Sequence, residues 1–182
     1  SLGYTLMASL IFASFLGFLN SAQQVLAELY GLGEIFPLAF ACLALSIGGS
    51  TLTNSRLLRH FSMQSLCRGS LAIVVPLSIA FSFISLALDG VPPLWSLMAY
   101  MIALFYSIGL LFGNMNALAM EPMGHIAGLA SAVIASISTG ISMLLGGMIG
   151  AMFNHTVFPL VCGFAIFTSA AAVVMFWTER RR

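Results

Sequence analysis

The side chains in this sequence that could do chemistry are mostly amides and hydroxyls, and few of them are ionisable. Its 182 residues include five Asp or Glu, six basic residues that are all Arg, and three His. The charged residues avoid the long apolar runs, whereas several neutral polar residues lie inside these runs or at their ends. They are Asn20, Gln23, Gln24, Asn114, Asn116, Ser136, Ser138 and Thr139. Such side chains usually face the interior of a helix bundle or a water-filled cavity.

The Cys and His residues indicate neither a metal site nor an active site. Three of each are scattered along the chain, at Cys42, Cys67, Cys162, His60, His125 and His155. Zinc sites need closely spaced Cys or His pairs, and a six-span intramembrane serine protease needs a His within a span. All three His residues instead fall between apolar runs. We therefore expect no metal, no cofactor and no enzymatic activity.

The composition indicates that lipid surrounds most of this chain. Hydrophobic residues make up 60% of the sequence and charged residues only 6%, and the mean hydropathy is +1.08. A soluble domain carries far more charge on its surface. A net charge of +1 without a basic stripe also argues against nucleic acid as a partner.

Six apolar runs have the length of about 20 residues that spans about 30 Å of hydrocarbon. They cover approximately residues 4–22, 35–53, 70–88, 94–118, 126–151 and 157–177. Backbone polar groups in lipid must be satisfied internally, and these runs are too long and too uniformly apolar for barrel strands. The sequence therefore predicts an all-α polytopic membrane protein, with six transmembrane helices in one bundle over residues 1–182.

The arginines predict how these helices are oriented. Arg56, Arg59 and Arg68 follow the second run, and the other three arginines, at positions 180–182, follow the sixth. Four runs separate the two groups, so both lie on one face, which the positive-inside rule makes cytoplasmic. We therefore expect both termini in the cytoplasm. We also expect Cys67 to react with membrane-impermeant thiol reagents from that side only.

A short internal similarity indicates an inverted repeat. Residues 16–22 (Leu-Gly-Phe-Leu-Asn-Ser-Ala) close the first run, and residues 110–117 (Leu-Leu-Phe-Gly-Asn-Met-Asn-Ala) close the fourth. These two runs cross the membrane in opposite directions, as a three-plus-three inverted repeat requires. In folds of that kind the polar helix positions line a central path, which favours a transporter.

Two longer segments resemble the bicyclomycin-resistance type of multidrug exporter in the major facilitator superfamily. Asn114 to Ala132 is similar to that family's junction between helices ten and eleven, and Gly49 to Phe61 is similar to its loop between helices eight and nine. The resemblance runs through essentially the whole chain. It implies that the six spans correspond to helices seven to twelve of a drug:proton antiporter in the bacterial inner membrane.

The resemblance also implies where a substrate would bind. In such carriers two six-helix halves rock about a central cavity, which helices seven, eight, ten and eleven help to line. The cavity candidates are Asn20, Gln23, Gln24, Tyr106, Asn114 and Ser138, with Phe15 and Phe18 as further wall residues. The candidates for steadying the cytoplasmic loop are Asn54, Arg56 and Arg59. The implied partners are the N-terminal half, a small drug or metabolite, and protons.

Proton coupling is the activity that this sequence alone supports least. No carboxylate lies within a predicted span, so the implied N-terminal half would have to hold the proton at depth. The chain opens on Ser1 only a few residues before a span, which leads us to expect that it is cut from a longer protein. A six-span channel or small-solute facilitator, or a structural membrane protein, is the alternative reading.

Overall fold

Six long α-helices make up this chain in a computed structural model that describes residues 2–180. They are α1 (Leu2–Ala22), α2 (Phe36–Leu57), α3 (Met63–Ala87), α4 (Leu94–Met120), α5 (Ala127–Ala151) and α6 (Phe158–Arg180). A π-helix, Gln23–Leu29, continues α1, and 3₁₀ helices at Gly33–Ile35 and Glu121–Ile126 precede α2 and α5. The expectations for Ser1, Arg181 and Arg182 lie outside the described residues, as does the side chain of His125.

The helix boundaries follow local signals that hydropathy alone does not show. Ser62 caps α3, because its hydroxyl oxygen accepts a hydrogen bond from the backbone N–H of Ser65 at 3.2 Å. This helix therefore starts well before the predicted span at residue 70. Pro37 and Pro159 lie in the first turns of α2 and α6, where a missing N–H removes no intrahelical hydrogen bond.

The centre of the bundle is formed by α1 and α4. Helix α1 packs against α4, α5 and α6, while α4 packs against α1, α2 and α3, and α3 and α6 also touch each other. Helix α2 is attached mainly through α4, and α5 mainly through α1. These contacts follow a twofold pattern. If α1, α2 and α3 are exchanged with α4, α5 and α6, the α1–α5 contact becomes α4–α2 and the α1–α6 contact becomes α4–α3. The α1–α4 and α3–α6 contacts are unchanged by the exchange.

The outer surface of the bundle is apolar. Large hydrophobic side chains are exposed on every helix, among them Leu45 at 73%, Leu144 at 74% and Val173 at 68%. All six helices are long and apolar enough to cross a membrane. Soluble monomers rarely expose continuous apolar surface of this extent. The predicted all-α fold with six helices able to span a membrane is thereby confirmed.

One end of the bundle, which we call the arginine end, carries Arg56, Arg59, Arg68 and Arg180. An ion pair joins two helices there, because Nε of Arg68 on α3 donates to both carboxylate oxygens of Glu179 on α6 at 2.9 Å. Arg180 on α6 therefore lies at the same end as the arginines that follow α2. This arrangement agrees with the shared face that the arginine spacing predicts.

The opposite end, which we call the far end, contains the connections around Tyr30, Gly90 and Thr156. The Tyr30 hydroxyl donates to the carbonyl of Pro92 at 2.6 Å, and burial raises the pKa of this phenol to about 12. Gly90 has φ of +78°, and a Cβ at this position would collide with Thr156. Its carbonyl accepts a hydrogen bond from the N–H of Val157 at 2.8 Å. Three connections are thus held together.

Small residues bring α1 and α5 into close backbone contact. Ser138, Ser142 and Gly146 are spaced four residues apart on α5 and form a buried stripe of small residues. The Ser142 hydroxyl donates to the carbonyl of Ser9 on α1 at 2.7 Å. A Cβ on Gly146 would lie 2.9 Å from the carbonyl oxygen of Ala13. Small-residue stripes of this kind drive helix association in membranes, where lipid removes the hydrophobic driving force.

The neighbouring glycines of α5 provide a matched test of this contact. Gly146→Ala should destabilise the bundle by about 1–3 kcal/mol, because the added methyl overpacks the α1 interface. Gly147→Ala should leave stability unchanged or slightly higher, because a Cβ on Gly147 meets nothing within 4 Å. Thermal unfolding of both variants in the same detergent measures the difference. Equal melting temperatures would contradict the close α1–α5 contact.

The proposed labelling of Cys67 cannot report on orientation, because its side chain is 0% exposed inside the bundle. The polar residues next to this cysteine, Gln64, Ser65 and Arg68, are typical of a loop and give no sign that the start of α3 packs against the other helices. His60 in the α2–α3 turn and Val91 in the α3–α4 connection are exposed at the arginine end and the far end. They provide accessible positions for the same experiment.

We expect His60→Cys and Val91→Cys to be labelled from opposite sides in a background with Ala at Cys42, Cys67 and Cys162. An impermeant maleimide added to intact cells should modify the cysteine at position 91 only. Inverted vesicles should give the reverse result. Modification of position 60 in intact cells would place the arginine end outside and reverse the predicted orientation.

Candidate functional site

Phenylalanine side chains fill the contact between the two central helices and α2. We call this set the phenylalanine cluster; its members are Phe12, Phe15, Phe18, Phe40, Phe105 and Phe112. The ring of Phe12 stacks on that of Phe112 at 4.9 Å between centroids, and Phe18 meets Phe105 edge-to-face, also at 4.9 Å. Such pairs add about 0.5–1.5 kcal/mol each beyond the burial of their area.

The phenylalanine cluster is partly open to the outside of the bundle. Phe12, Phe15, Phe40 and Phe112 are only half-buried, whereas Phe18 and Phe105 are buried. A closed cavity of about 40 Å³ lies beside them and is lined only by apolar side chains. Pockets for drug-sized ligands measure about 300–1,000 Å³. The exposed ring edges therefore form an aromatic surface rather than a complete pocket.

Asn114, a predicted cavity residue, is buried on α4 and paired with Asn54 on α2. The Asn114 amide donates to the Oδ1 atom of Asn54 at 2.9 Å, and the Asn54 amide donates back to Asn114 at 3.3 Å. Asn114 Nδ2 also donates to the carbonyl of Leu110 at 2.9 Å. The side chain is 2% exposed, so its polar atoms serve the α2–α4 contact.

The predicted polar group on the first helix lies at the far end. Asn20 is exposed beside Gly150 of α5, and a Cβ on that glycine would lie 2.8 Å from the Asn20 Cβ. Gln23 and Gln24 belong to the π-helix, in which Gln23 is exposed and Gln24 is half-buried. The Oε1 atom of Gln24 is buried and accepts no hydrogen bond within residues 2–180. π-helical turns occur frequently at functional sites.

The remaining cavity candidates occupy different surroundings. Tyr106 is half-buried near the middle of α4, close to the phenylalanine cluster in sequence. Ser138 is buried in the α1–α5 contact, and its Oγ has no hydrogen-bond partner in the described part of the chain. Arg56 and Arg59 are exposed at the arginine end. Their guanidinium groups make no ion pair with any described residue.

The structure does not bring the polar cavity candidates into one cluster. The ring contacts show that α1 and α4 run antiparallel, with Phe12 level with Phe112 and Phe18 level with Phe105. Asn114 therefore lies toward the arginine end, while Asn20 and the two glutamines lie toward the far end. The phenylalanine cluster separates these two polar groups. Among the candidates in the described part of the chain, Asn54 and Asn114, which were expected in different roles, are joined by hydrogen bonds between two helices.

Sequence reasoning missed most of the phenylalanine cluster. It named Phe15 and Phe18 but omitted the other four members, Phe12, Phe40, Phe105 and Phe112. Spacings of three residues between Phe12 and Phe15 and seven between Phe105 and Phe112 place each pair on one helix face. That regular spacing was the available signal, although it cannot tell which face meets the other central helix.

The interior of the bundle contains no Asp, Glu, His, Lys or Arg side chain among the described residues. The buried polar side chains are Ser, Thr and Asn. The described residues also contain no group of three His, Cys, Asp or Glu side chains that could hold a metal ion. The site can therefore offer aromatic surface, amides and hydroxyls to a ligand.

Neither a family model, a curated protein nor a solved structure matches this chain. The resemblance to major facilitator exporters therefore stays a prediction from the two segments quoted above.

The Asn54–Asn114 pair can be measured by a double-mutant cycle. Asn54→Ala and Asn114→Ala should show a coupling energy of about 0.6 kcal/mol, and at most about 1.7 kcal/mol, the range for hydrogen bonds between transmembrane helices. Asn116 provides the control, because its amide donates only within α4, to the Phe112 carbonyl at 2.8 Å. The cycle between Asn54→Ala and Asn116→Ala should give no coupling. Equal values in the two cycles would refute the interhelical pair.

Proposed function

We propose that this chain is the C-terminal six-helix half of a major facilitator drug:proton antiporter of the bicyclomycin-resistance type. The observation that carries this proposal is the pairing of helices in the bundle. Each extensive contact maps onto another, or onto itself, when α1–α3 and α4–α6 are exchanged. The first triplet starts at the arginine end and the second at the far end. This is the pattern expected of a three-plus-three inverted repeat.

The positions of the central helices support a role in lining a substrate path. In inverted-repeat carriers the site lies between repeats near the middle of the membrane. Here α1 and α4 meet at the centre, and the half-buried rings of Phe12, Phe15 and Phe112 reach the surface between them. An aromatic surface suits apolar drugs, because such pockets are lined mainly by hydrophobic and aromatic side chains.

A second bundle is needed to turn this surface into a cavity. The closed space beside the phenylalanine cluster is about 40 Å³, which is too small for a drug molecule. Helices α2 and α5, which flank the central pair, keep most of their residues exposed. We infer that the N-terminal half packs on these two helices and closes the cavity over α1 and α4.

The second bundle would also supply the proton site. A proton carrier needs a titratable group at depth, and burial and neighbouring charges tune the pKa of that group. Glu28, Glu34, Asp89 and Glu121 are exposed in connections or at helix ends. Glu179 is occupied by Arg68. We therefore assign substrate contact to this half and proton binding to the other.

A six-span channel is less well supported by the same geometry. A conducting path needs polar groups or water along its whole length. The amide side chains of α1 and α4 instead lie toward opposite ends, with the phenylalanine cluster between them, and the hydroxyls of Ser9 and Ser107 donate to carbonyls of their own helices. The bundle therefore offers no continuous polar path through its described residues.

The chain alone should insert into vesicles but should not take up drug when a pH gradient is applied. Vesicles that also contain the N-terminal half of a bicyclomycin-type exporter should take up drug, and a protonophore should abolish the uptake. Robust, protonophore-sensitive uptake by the chain alone would refute the half-transporter proposal. It would make Glu28, in the π-helix that continues α1, and Glu121, directly after α4, the first residues to replace.

In the reconstituted pair, Phe112→Ala should weaken drug binding about tenfold. The reason is the loss of one aromatic contact, worth about 0.5–1.5 kcal/mol, together with apolar area. Phe83→Ala on α3 is the matched control, because Phe83 is 68% exposed and takes no part in the phenylalanine cluster. Equal effects of the two substitutions would contradict a binding role for the cluster.

A further inference from the structure

A long groove runs between α3 and α6 at the arginine end. Its volume is about 370 Å³, and its walls are mainly apolar, formed by side chains such as Leu71, Val75 and Met175. Ala72 and Pro76 lie along the same wall of α3. Pro76 has no N–H to donate to the carbonyl of Ala72, so the helix wall here has one backbone hydrogen bond fewer. The groove opens to the surroundings of the bundle.

One arginine lies at the mouth of this groove, and a second lies against one of its wall residues. Arg68 lines it directly, and its side chain is 59% exposed. Its Nε is held by Glu179, which leaves both terminal nitrogens without a hydrogen bond in residues 2–180. The guanidinium carbon of Arg180 lies 4.2 Å from the ring centre of Phe176, another wall residue. These two arginines outnumber the single carboxylate, Glu179.

The basic mouth distinguishes this groove from the other grooves of the bundle. Three further grooves, of about 250–470 Å³, lie between other parts of the described helices. Their linings contain apolar side chains and a few neutral polar ones, such as Asn154, Ser82 and Thr5, and no charged residue. Lipid acyl chains could fill all of these grooves without preference. Of these four grooves among the described residues, the one with Arg68 combines an apolar slot with positive charge at the membrane surface.

We propose that the α3–α6 groove at the arginine end is a binding site for an anionic phospholipid. One acyl chain lies along Leu71, Val75 and Met175, and the phosphate meets the terminal nitrogens of Arg68 and the guanidinium of Arg180. Basic pockets between transmembrane helices bind anionic headgroups in this way. Glu179 orients Arg68 and lowers the positive charge of the mouth. This site is independent of the proposed transport function, since it requires only that the bundle sits in a bilayer.

The site can be tested through Trp177, which follows Phe176 in α6. The Trp95→Phe variant leaves Trp177 as the only tryptophan. The protein is placed in vesicles of one fixed mixture of phosphatidylglycerol and phosphatidylcholine, with brominated chains on one lipid or the other. Brominated phosphatidylglycerol should quench Trp177 more strongly than its share of the mixture predicts. Quenching in proportion to the mixture would overturn the proposal.

Charge variants identify the contacts. Arg68→Gln should lower the preference for phosphatidylglycerol roughly fivefold, the effect of one basic side chain near an anionic surface. Glu179→Gln should raise the preference, because it removes the negative charge and keeps an acceptor for Nε of Arg68. Arg56→Gln is the matched control, since Arg56 is exposed at the same end but lies on α2, away from the groove. An equal loss with Arg56→Gln would indicate general surface attraction and refute the site.

A filling variant tests the slot without changing charge. Ala72→Phe should obstruct the groove and reduce quenching by brominated phosphatidylglycerol to its share of the mixture. Ala80→Phe, at an exposed position of the same helix outside the groove, should leave the preference unchanged. An unaltered preference in Ala72→Phe would show that the acyl chain does not occupy the slot. Glu179→Gln keeps the proposal testable even if Arg68→Gln fails to insert.

Discussion

The rest of this bundle depends on one constraint, which is that the backbones of neighbouring helices must lie very close together. A methyl group on Gly146 would meet the backbone of α1, and a methyl group on Gly109 of α4 would meet Ser50 of α2. The two outer helices α5 and α2 can therefore lie close to their central partners only because these positions lack bulk. In lipid, where apolar side chains gain little by leaving the solvent, such close packing and hydrogen bonds supply the attraction between helices. The positions of α5 and α2 against the two central helices follow from these two contacts.

Hydroxyl and amide groups in this bundle are satisfied mainly inside single helices. Ser9 and Ser21 donate to the carbonyls four residues earlier in α1, and Ser107 does the same in α4. These bonds do not determine which face of a helix meets its neighbours, since any rotation of the helix would preserve them. The bonds that fix one helix against another are few. They include Ser142 to Ser9, Tyr100 to Ser78 and the two between Asn54 and Asn114.

The sequence predicts the number and type of the helices because the length of an apolar run is set by the membrane itself. It predicts neither the π-helix after Ala22 nor the cap at Ser62, since both depend on hydrogen bonds that hydropathy does not register. Hydrogen-bond partners on two different helices are harder still to predict from the sequence. Asn54 and Asn114 are sixty residues apart, and the pairing of their amides depends on how α2 and α4 are rotated. Cys67 was likewise expected to be accessible, because its polar neighbours Gln64, Ser65 and Arg68 do not reveal that its side chain faces the other helices.

The two ends of the bundle are held by bonds of different physical kinds. At the far end, neutral hydrogen bonds from Tyr30 and Val157 converge on the backbone of the connection between α3 and α4. At the arginine end, α3 and α6 are joined by an exposed ion pair, whose attraction is weakened by dissolved salt. Ionic strength therefore acts on one end and hardly on the other. Raising the salt concentration should therefore loosen the contact between α3 and α6 at the arginine end, while the connections at the far end stay joined.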